Sequence, residues 1–351
     1  MANFYRAIRP LLFALPPEGA HRLALLALKS LNMAVGYAEG EDHLLKQQIW
    51  GRHFANPFGM AAGFDKNGET IGGVLKLGFG FTEIGTLTPL PQAGNARPRL
   101  YRLPQYGAII NRLGFNNKGQ IEALHRLSVF RARSSGHRRL IGVNIGANKQ
   151  SPDWFADYEI GAARFAVMAD YLTVNISSPN TPNLRDLQAQ DPIDILMKKV
   201  RMAAPATPIL IKLAPDLSPD EACAIAELAV VNKIDGLIVS NTTTSRAGVN
   251  GHKFAAQTGG LSGQPLFDKS TSLLAEIYRT SQNKLTLIGV GGVATPEQAY
   301  EKICAGASLV QLYTALIYQG PALVGQLRRG LADLLRRDGH RSISTAIGSK
   351  I

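Results

Sequence analysis

At 351 residues the chain can hold one large α/β domain with an appendage, or two ordinary domains. Apolar content of 45% against 18% charged residues excludes a disordered chain, and Cys223 and Cys304 lack metal-ligand spacing and read as free thiols of a reducing compartment. The net charge of +12 would suit nucleic acid, but no helix-turn-helix, zinc-finger or RNA-binding signature accompanies it, and an anionic lipid surface fits the charge equally well.

The chain opens on two short amphipathic segments, residues 4–15 and 18–35. The first carries Tyr5, Ile8, Leu11, Leu12 and Phe13; the second carries Leu23, Leu25, Leu26, Leu28, Leu31, Met33 and Val35. Arg6, Arg9, Arg22 and Lys29 flank them against a single acid, Glu18. An apolar face edged by cations is what an interfacial helix needs; an ordinary helical hairpin packed on the main domain is the other reading. No stretch reaches the roughly 18 apolar residues of a membrane span. Pro10, Pro16 and Pro17 also argue against a cleavable signal.

Past residue 50 an apolar run ending in small or polar residues repeats eight times, each followed by a helical stretch. The runs are residues 58–63, 81–86, 140–145, 171–177, 208–214, 236–242, 285–292 and 309–315. Runs of this kind fit strands buried on both faces of a parallel sheet, and eight βα units predict a (β/α)8 TIM barrel rather than a doubly wound sheet. Ser218-Pro-Asp-Glu221 and Thr295-Pro-Glu-Gln298 read as capping boxes with Pro at the first helical position, and Asp191-Pro192 reads as a similar start. Long insertions follow the second and sixth strands; Gly259-Gly-Leu-Ser-Gly263 in the later one has no hydrophobic period and reads as a loop. The expected organisation is a helical domain at 1–40, a barrel at 41–340 and a frayed, disordered tail at 341–351.

Barrel chemistry sits at strand C-termini. Here these supply Lys66, Thr86, Asn144, Asn175, Lys212, Asn241, Thr242, Gly292, Tyr313 and Thr314, a set rich in amides and hydroxyls and poor in carboxylates and histidines. That disfavours metal chemistry and paired-carboxylate hydrolysis, and suits a planar polar ligand with an anionic cofactor. Gly289-Val-Gly-Gly292 before the Thr295 cap has the position of the barrel phosphate site, or is simply a tight turn. Lys212, inside an apolar run, needs a counter-charge: a flavin's pyrimidine edge or a structural ion pair. Asn175-Ile-Ser-Ser-Pro-Asn-Thr-Pro182 places amides and hydroxyls at a strand end. It suits a ligand with amide edges, or is a polar turn with Ser178 or Asn180 capping a helix.

In order, Ala61–Lys66, Glu83–Pro89, Pro98–Arg102, Asn111–Asn117, Asn144–Gly146, Asn175–Pro182, Lys212–Asp216, Ser240–Thr243, Thr258–Gly263, Ile288–Gly292 and Gly306–Thr314 resemble class 2 dihydroorotate dehydrogenases. These are the membrane-associated, quinone-reducing enzymes of pyrimidine synthesis. The resemblance implies a bound FMN, whose N5 takes a hydride from C6 of dihydroorotate while Ser178 takes the proton from C5. It implies substrate contacts from Lys66, the Asn111-Arg112-Leu113-Gly114-Phe115 loop, Asn175, Asn180, Asn241 and Thr242. FMN contacts are implied for Ala62, Gly63, Lys66, Thr86, Asn144, Asn175, Lys212, Ser240, Gly263, Gly292, Tyr313 and Thr314. Phe115 and Thr181 match a proton path, and His21 and Arg102 match the quinone end. Ser240 stands where threonine is familiar, and the hydroxyl is kept. The implied partners are dihydroorotate and orotate, a membrane quinone and an anionic lipid surface, with no nucleic acid and no metal. The implied location is peripheral, on the cytoplasmic face of the inner membrane. A class 1-type enzyme using a soluble acceptor such as fumarate or NAD is the alternative; Ser178 and the apolar hairpin argue against it.

Overall fold

The computed structural model describes residues 2–31, 42–134 and 139–351. All eight expected strands form, and they close into a parallel barrel: β1 (Phe58–Met60), β2 (Phe81–Leu87), β3 (Leu140–Ile145), β4 (Tyr171–Asn175), β5 (Ile209–Leu213), β6 (Gly236–Val239), β7 (Thr286–Val290) and β8 (Leu309–Leu312). Each strand pairs with its neighbours in chain order, and β8 pairs with β1 to close the ring. The strands are buried nearly throughout, because helices cover the outside and side chains fill the inside. Both capping boxes are present, at Ser218–Glu221 and Thr295–Gln298. The helix expected to start at Asp191-Pro192 instead begins at Gln190, without a side-chain cap.

The barrel's N-terminal mouth is plugged by an antiparallel hairpin, Gln47–Ile49 with Arg52–Phe54, which the apolar-run pattern does not reveal. Phe54 and Trp50 pack there against Phe81 and Tyr171, with Leu210, Ile238, Ile288 and Leu309 in the same cluster. The plug leaves the C-terminal mouth as the open end.

At that end the two insertions form a three-stranded antiparallel sheet from Leu100–Leu103, Ala108–Asn111 and Gly260–Gly263. The 259–263 segment is therefore a strand rather than a loop. Its glycines are the reason: a Cβ on Gly259 would stand 2.2 Å from the Asn111 carbonyl oxygen, and one on Gly263 would stand 2.2 Å from that of Gly107. Both have left-handed φ, 122° and 101°. Close backbone approach takes the place of an apolar period.

Helices α1 (Ala2–Ala14) and α2 (Pro17–Leu31) form the N-terminal hairpin, as expected; Met33 and Val35 lie outside the described residues. Leu28 is buried against the helix Ile71–Lys76, where a Cβ on Gly73 would meet its carbonyl oxygen at 2.1 Å. Polar bonds dock the hairpin on the barrel. Arg99 donates to both carboxylate oxygens of Glu18 at 2.9 and 3.0 Å, and Arg97 approaches the same group at 3.2 Å. Tyr5 donates to the Ile317 carbonyl, and Arg102 to the carbonyls of Leu12 and Leu15.

The 341–351 segment is not frayed. Ile343 and Ala346 are fully buried, and the amides of Gly348 and Lys350 donate to the carbonyls of Ile303 and Cys304. Two apolar residues three apart on a single 3₁₀ turn suffice to seat it, too short a pattern to show a period.

Candidate active site

The strand ends meet in a ladder of amides and hydroxyls. Glu83 on β2 forms its base: its carboxylate accepts from Asn144 Nδ2 at 2.7 Å, Gln311 Nε2 at 2.8 Å and the Tyr171 hydroxyl at 3.0 Å. Four strands thus share one buried carboxylate. Above it, Thr86 donates to Asn144 Oδ1 at 2.6 Å, and Asn175 Nδ2 donates to Thr86 Oγ1 at 2.9 Å. Asn241 Nδ2 then reaches Asn175 Oδ1 at 3.2 Å and Ser177 Oγ at 3.0 Å. With every rung held by the next, the amides present fixed edges rather than rotating groups.

The ladder opens into a cavity of about 600 Å³. Its inner part is lined by Thr86, Asn175, Ser178, Asn180, Lys212, Ser240, Asn241 and Thr242; Lys66 and the loop residues Asn111, Leu113, Gly114 and Phe115 stand beside them. Ala62, Gly63, Gly263, Gly292, Tyr313 and Thr314 line the flank towards β7 and β8. The same cavity continues outward between α1 and α2, past His21 and Arg102, to walls of Ile8, Leu12, Ala24 and Leu28. A polar chamber and an apolar corridor are therefore one space.

Three expected residues do not line it. Asn144 lies beneath, bonded to Glu83 and Thr86. Thr181 is buried behind the cavity wall. Arg112 turns to the Pro98 carbonyl, the Tyr101 hydroxyl, Gln257 and Thr258, so its part is to brace the loop it sits on.

Ser178 is 5% exposed, and its Oγ accepts from the Asn180 amide at 3.3 Å. It does not cap a helix: Asn183 precedes the next 3₁₀ turn, Leu184–Gln188. Among the described residues no basic side chain is bonded to it. Asn180 Nδ2 donates to Asn111 Oδ1 at 3.1 Å, while its own Oδ1 is buried without a partner, an acceptor awaiting a donor.

Two ammonium groups border the chamber. Burial pushes the pKa of Lys212 down, and the charge of Glu83 pulls it back. Lys66 donates to the Gly63 carbonyl at 2.9 Å; burial and the Arg99 charge bring it down to about 8, against the pull of Glu18 and Asp65. It is mostly cationic at neutral pH. Burial and the Lys66 charge hold His21 down to about 4, so its imidazole is neutral there, edge-on to Phe64 at 5.2 Å. Arg102 lies 4.7 Å over the Phe13 ring.

Sequence reasoning missed the residues that fix the Ser178 loop. Arg185 donates to the carbonyls of Ser177 at 3.1 Å and Thr242 at 3.0 Å, and to Asp216 Oδ2 at 2.9 Å. Asp216 also accepts from Thr243, Thr244 and Lys269. Burial works against that carboxylate's charge, but these donors hold its pKa well below the usual range. The available signal was an arginine and an aspartate in polar runs just past two strand ends.

The family model described as dihydroorotate dehydrogenase matches residues 44–335. The dihydroorotate dehydrogenase (quinone) of Rhodospirillum rubrum is 48% identical over 355 residues, covering 99% of this chain and 95% of that protein. The dihydroorotate dehydrogenase (quinone) of Parvibaculum lavamentivorans is 49% identical over 350 residues, covering 99% of each. Among solved structures, DHODH from Eimeria tenella in complex with ferulenol superimposes with a TM-score of 0.91 at 36% identity, covering 95% of both chains.

Proposed function

The chain belongs to the dihydroorotate dehydrogenase family, and we propose from that premise how its residues perform the reaction of the quinone-dependent members. That reaction is oxidation of dihydroorotate to orotate in pyrimidine synthesis, with FMN as cofactor and a quinone as acceptor. The observation that carries the residue assignments is the single cavity joining a chamber of fixed amides to an apolar corridor between two helices. One substrate is small, planar and polar; the other is apolar. The two halves match them in turn.

The residues fit the cofactor. A buried ammonium, Lys212, stands at the chamber floor with no hydrogen-bond partner among the described residues, which suits the electron-rich pyrimidine edge of a flavin. Thr86, Asn175 and Ser240 offer donors and acceptors alongside, with Asn144 behind them. Ala62, Gly63 and Lys66 border the ring position, and Gly263, Gly292, Tyr313 and Thr314 form the phosphate end. FMN, when bound, supplies the acceptor for the hydride leaving C6.

The chain's own work is binding and proton handling. Asn111, Asn175, Asn180, Asn241 and Thr242 grip the pyrimidine edges, and the free Asn180 Oδ1 takes a ring N–H. The cationic Lys66 suits the substrate's carboxylate. Leu113, Gly114 and Phe115 close over the ring, with Arg112 bracing them. Ser178 Oγ takes the C5 proton. The Asn180 amide aimed at that oxygen favours its deprotonated form and so offsets the weakness of a serine base. The proton leaves past Phe115 and Thr181. In the corridor the anchored Arg102 presents a donor to a quinone oxygen, beside the neutral His21 ring.

Among the described residues no helix is long and apolar enough to cross a membrane. Leu11, Leu15, Leu23, Leu26 and Leu31 are nonetheless exposed on α1, α2 and the turn between them, with Arg6, Arg9, Arg22 and Lys29 exposed among them. This supports peripheral seating on anionic lipid at the cytoplasmic face of the cell membrane, with residues 2–31 as the docking domain and the rest as the barrel. The test is anaerobic mixing with dihydroorotate, then reoxidation. Bleaching of the flavin followed by recovery with a quinone analogue, and not with fumarate or NAD, is expected. Reoxidation by a soluble acceptor alone would overturn the quinone assignment.

A further inference from the structure

Lys302, on the helix Pro296–Cys304, is fully buried, yet none of its hydrogen bonds goes to a carboxylate. Its ammonium donates to the hydroxyls of Ser270 at 2.8 Å and Thr271 at 2.9 Å, and sits 5.0 Å over the Phe267 ring. The carboxylates acting on it, Glu301 and Asp268, are exposed and act through space. Burial brings its pKa down to about 7. An isolated ammonium in a core is costly, and an apolar side chain of similar size would ordinarily do as well or better there.

Its neighbours show what the charge is near. Ser270 Oγ shares its one proton between the carbonyls of Gly291 at 3.3 Å and Phe267 at 3.1 Å, and a Cβ on Gly291 would stand 2.7 Å from that hydroxyl oxygen. A Cβ on Gly292 would stand 2.4 Å from Phe267 Cβ, and one on Gly289 would stand 3.0 Å from Lys302 Cδ. The Gly289–Gly292 turn thus rests directly on the residues that surround this ammonium. We propose that Lys302 is the counter-charge of the cofactor's phosphate, acting through Ser270 and the glycine turn rather than by contact, and is a positioning residue for that group. The inference rests on the FMN reading above. A cation one layer behind a turn of backbone amides adds attraction for a dianion without occupying its site.

The experiment compares FMN with riboflavin, which lacks the phosphate, on the full chain stripped of flavin and titrated by flavin fluorescence at pH 6.5, on the protonated side of the Lys302 pKa of about 7. Lys302→Met removes the charge. Thr271 still donates to the Phe267 carbonyl, and Ser270 still has the carbonyls of Phe267 and Gly291 for its one proton, so the variant is expected to fold. Lys302→Gln removes the charge but keeps a hydrogen-bond donor. Both variants should lose about tenfold in preference for FMN over riboflavin, with riboflavin affinity unchanged. Equal weakening of both ligands, an unchanged preference, or a loss in Met that Gln restores would each overturn the proposal. A parent chain that binds neither flavin would overturn the cofactor reading itself, and this inference with it.

Discussion

Replacing Glu18 with Gln should separate the two half-reactions. Arg99, whose side chain is 6% exposed, loses its ionic partner in this variant and keeps the carbonyls of Ala93 at 2.7 Å and Asn95 at 2.9 Å. Breaking a buried ion pair from one side costs about 3–5 kcal/mol. Glu18 retains 26% exposure, and half of the guanidinium bonds survive, so about 2 kcal/mol is the better figure. That shifts hairpin docking about thirtyfold towards the released state. No side chain lining the inner chamber is replaced, and the one electrostatic change there is the loss of the Glu18 pull on Lys66. The assay is stopped-flow at pH 6.5, below the Lys66 pKa of about 8, where the lost pull of Glu18 weighs least on its charge. Dihydroorotate should bleach the flavin within twofold of the parent rate, while quinone reoxidation slows and proteolysis of the first 31 residues quickens. Quinone reoxidation at the parent rate, or equal losses in both half-reactions, would refute the hairpin's role as the corridor wall held by this pair.

Ser178→Ala should retain FMN and bind orotate, yet lose flavin reduction by about three orders of magnitude at neutral pH, read in single turnover; near-normal reduction would remove Ser178 as the base. Lys212→Ala should weaken FMN binding and slow reduction about a hundredfold together, measured by flavin content and stopped-flow. His21 titrates near 6.5 when unfolded and at about 4 when folded, so the unfolded chain binds more protons between those values. Stability present above pH 6.5 is therefore lost as pH falls towards 4, by about 2 kcal/mol between pH 7 and 4.5, and His21→Gln should remove that part of the acid loss in thermal melts.

The barrel was legible because its strands are buried on both faces, so each left a continuous apolar run; the helix starts were legible because capping boxes are local. The plug hairpin was not, since Gln47–Ile49 and Arg52–Phe54 are three-residue strands with no room for a period. Gly260–Gly263 was misread because close approach to Ala108–Asn111 asks for missing side chains, not apolar ones. Within the site, lone amides at strand ends were visible as a set. Their order was not: Glu83 looks like an acid misplaced in an apolar strand until barrel closure brings Asn144, Tyr171 and Gln311 to it. Ser178 carries no local mark of a base, and only the resemblance of its octapeptide singled it out.

Asp216 and Arg185 tie the loop after β4 to the loop after β6, so the wall carrying Ser178 and the wall carrying Thr242 are latched together. Neither can swing out alone without stranding a carboxylate or a guanidinium. The two loops are thereby one cooperative unit, expected to loosen together rather than separately.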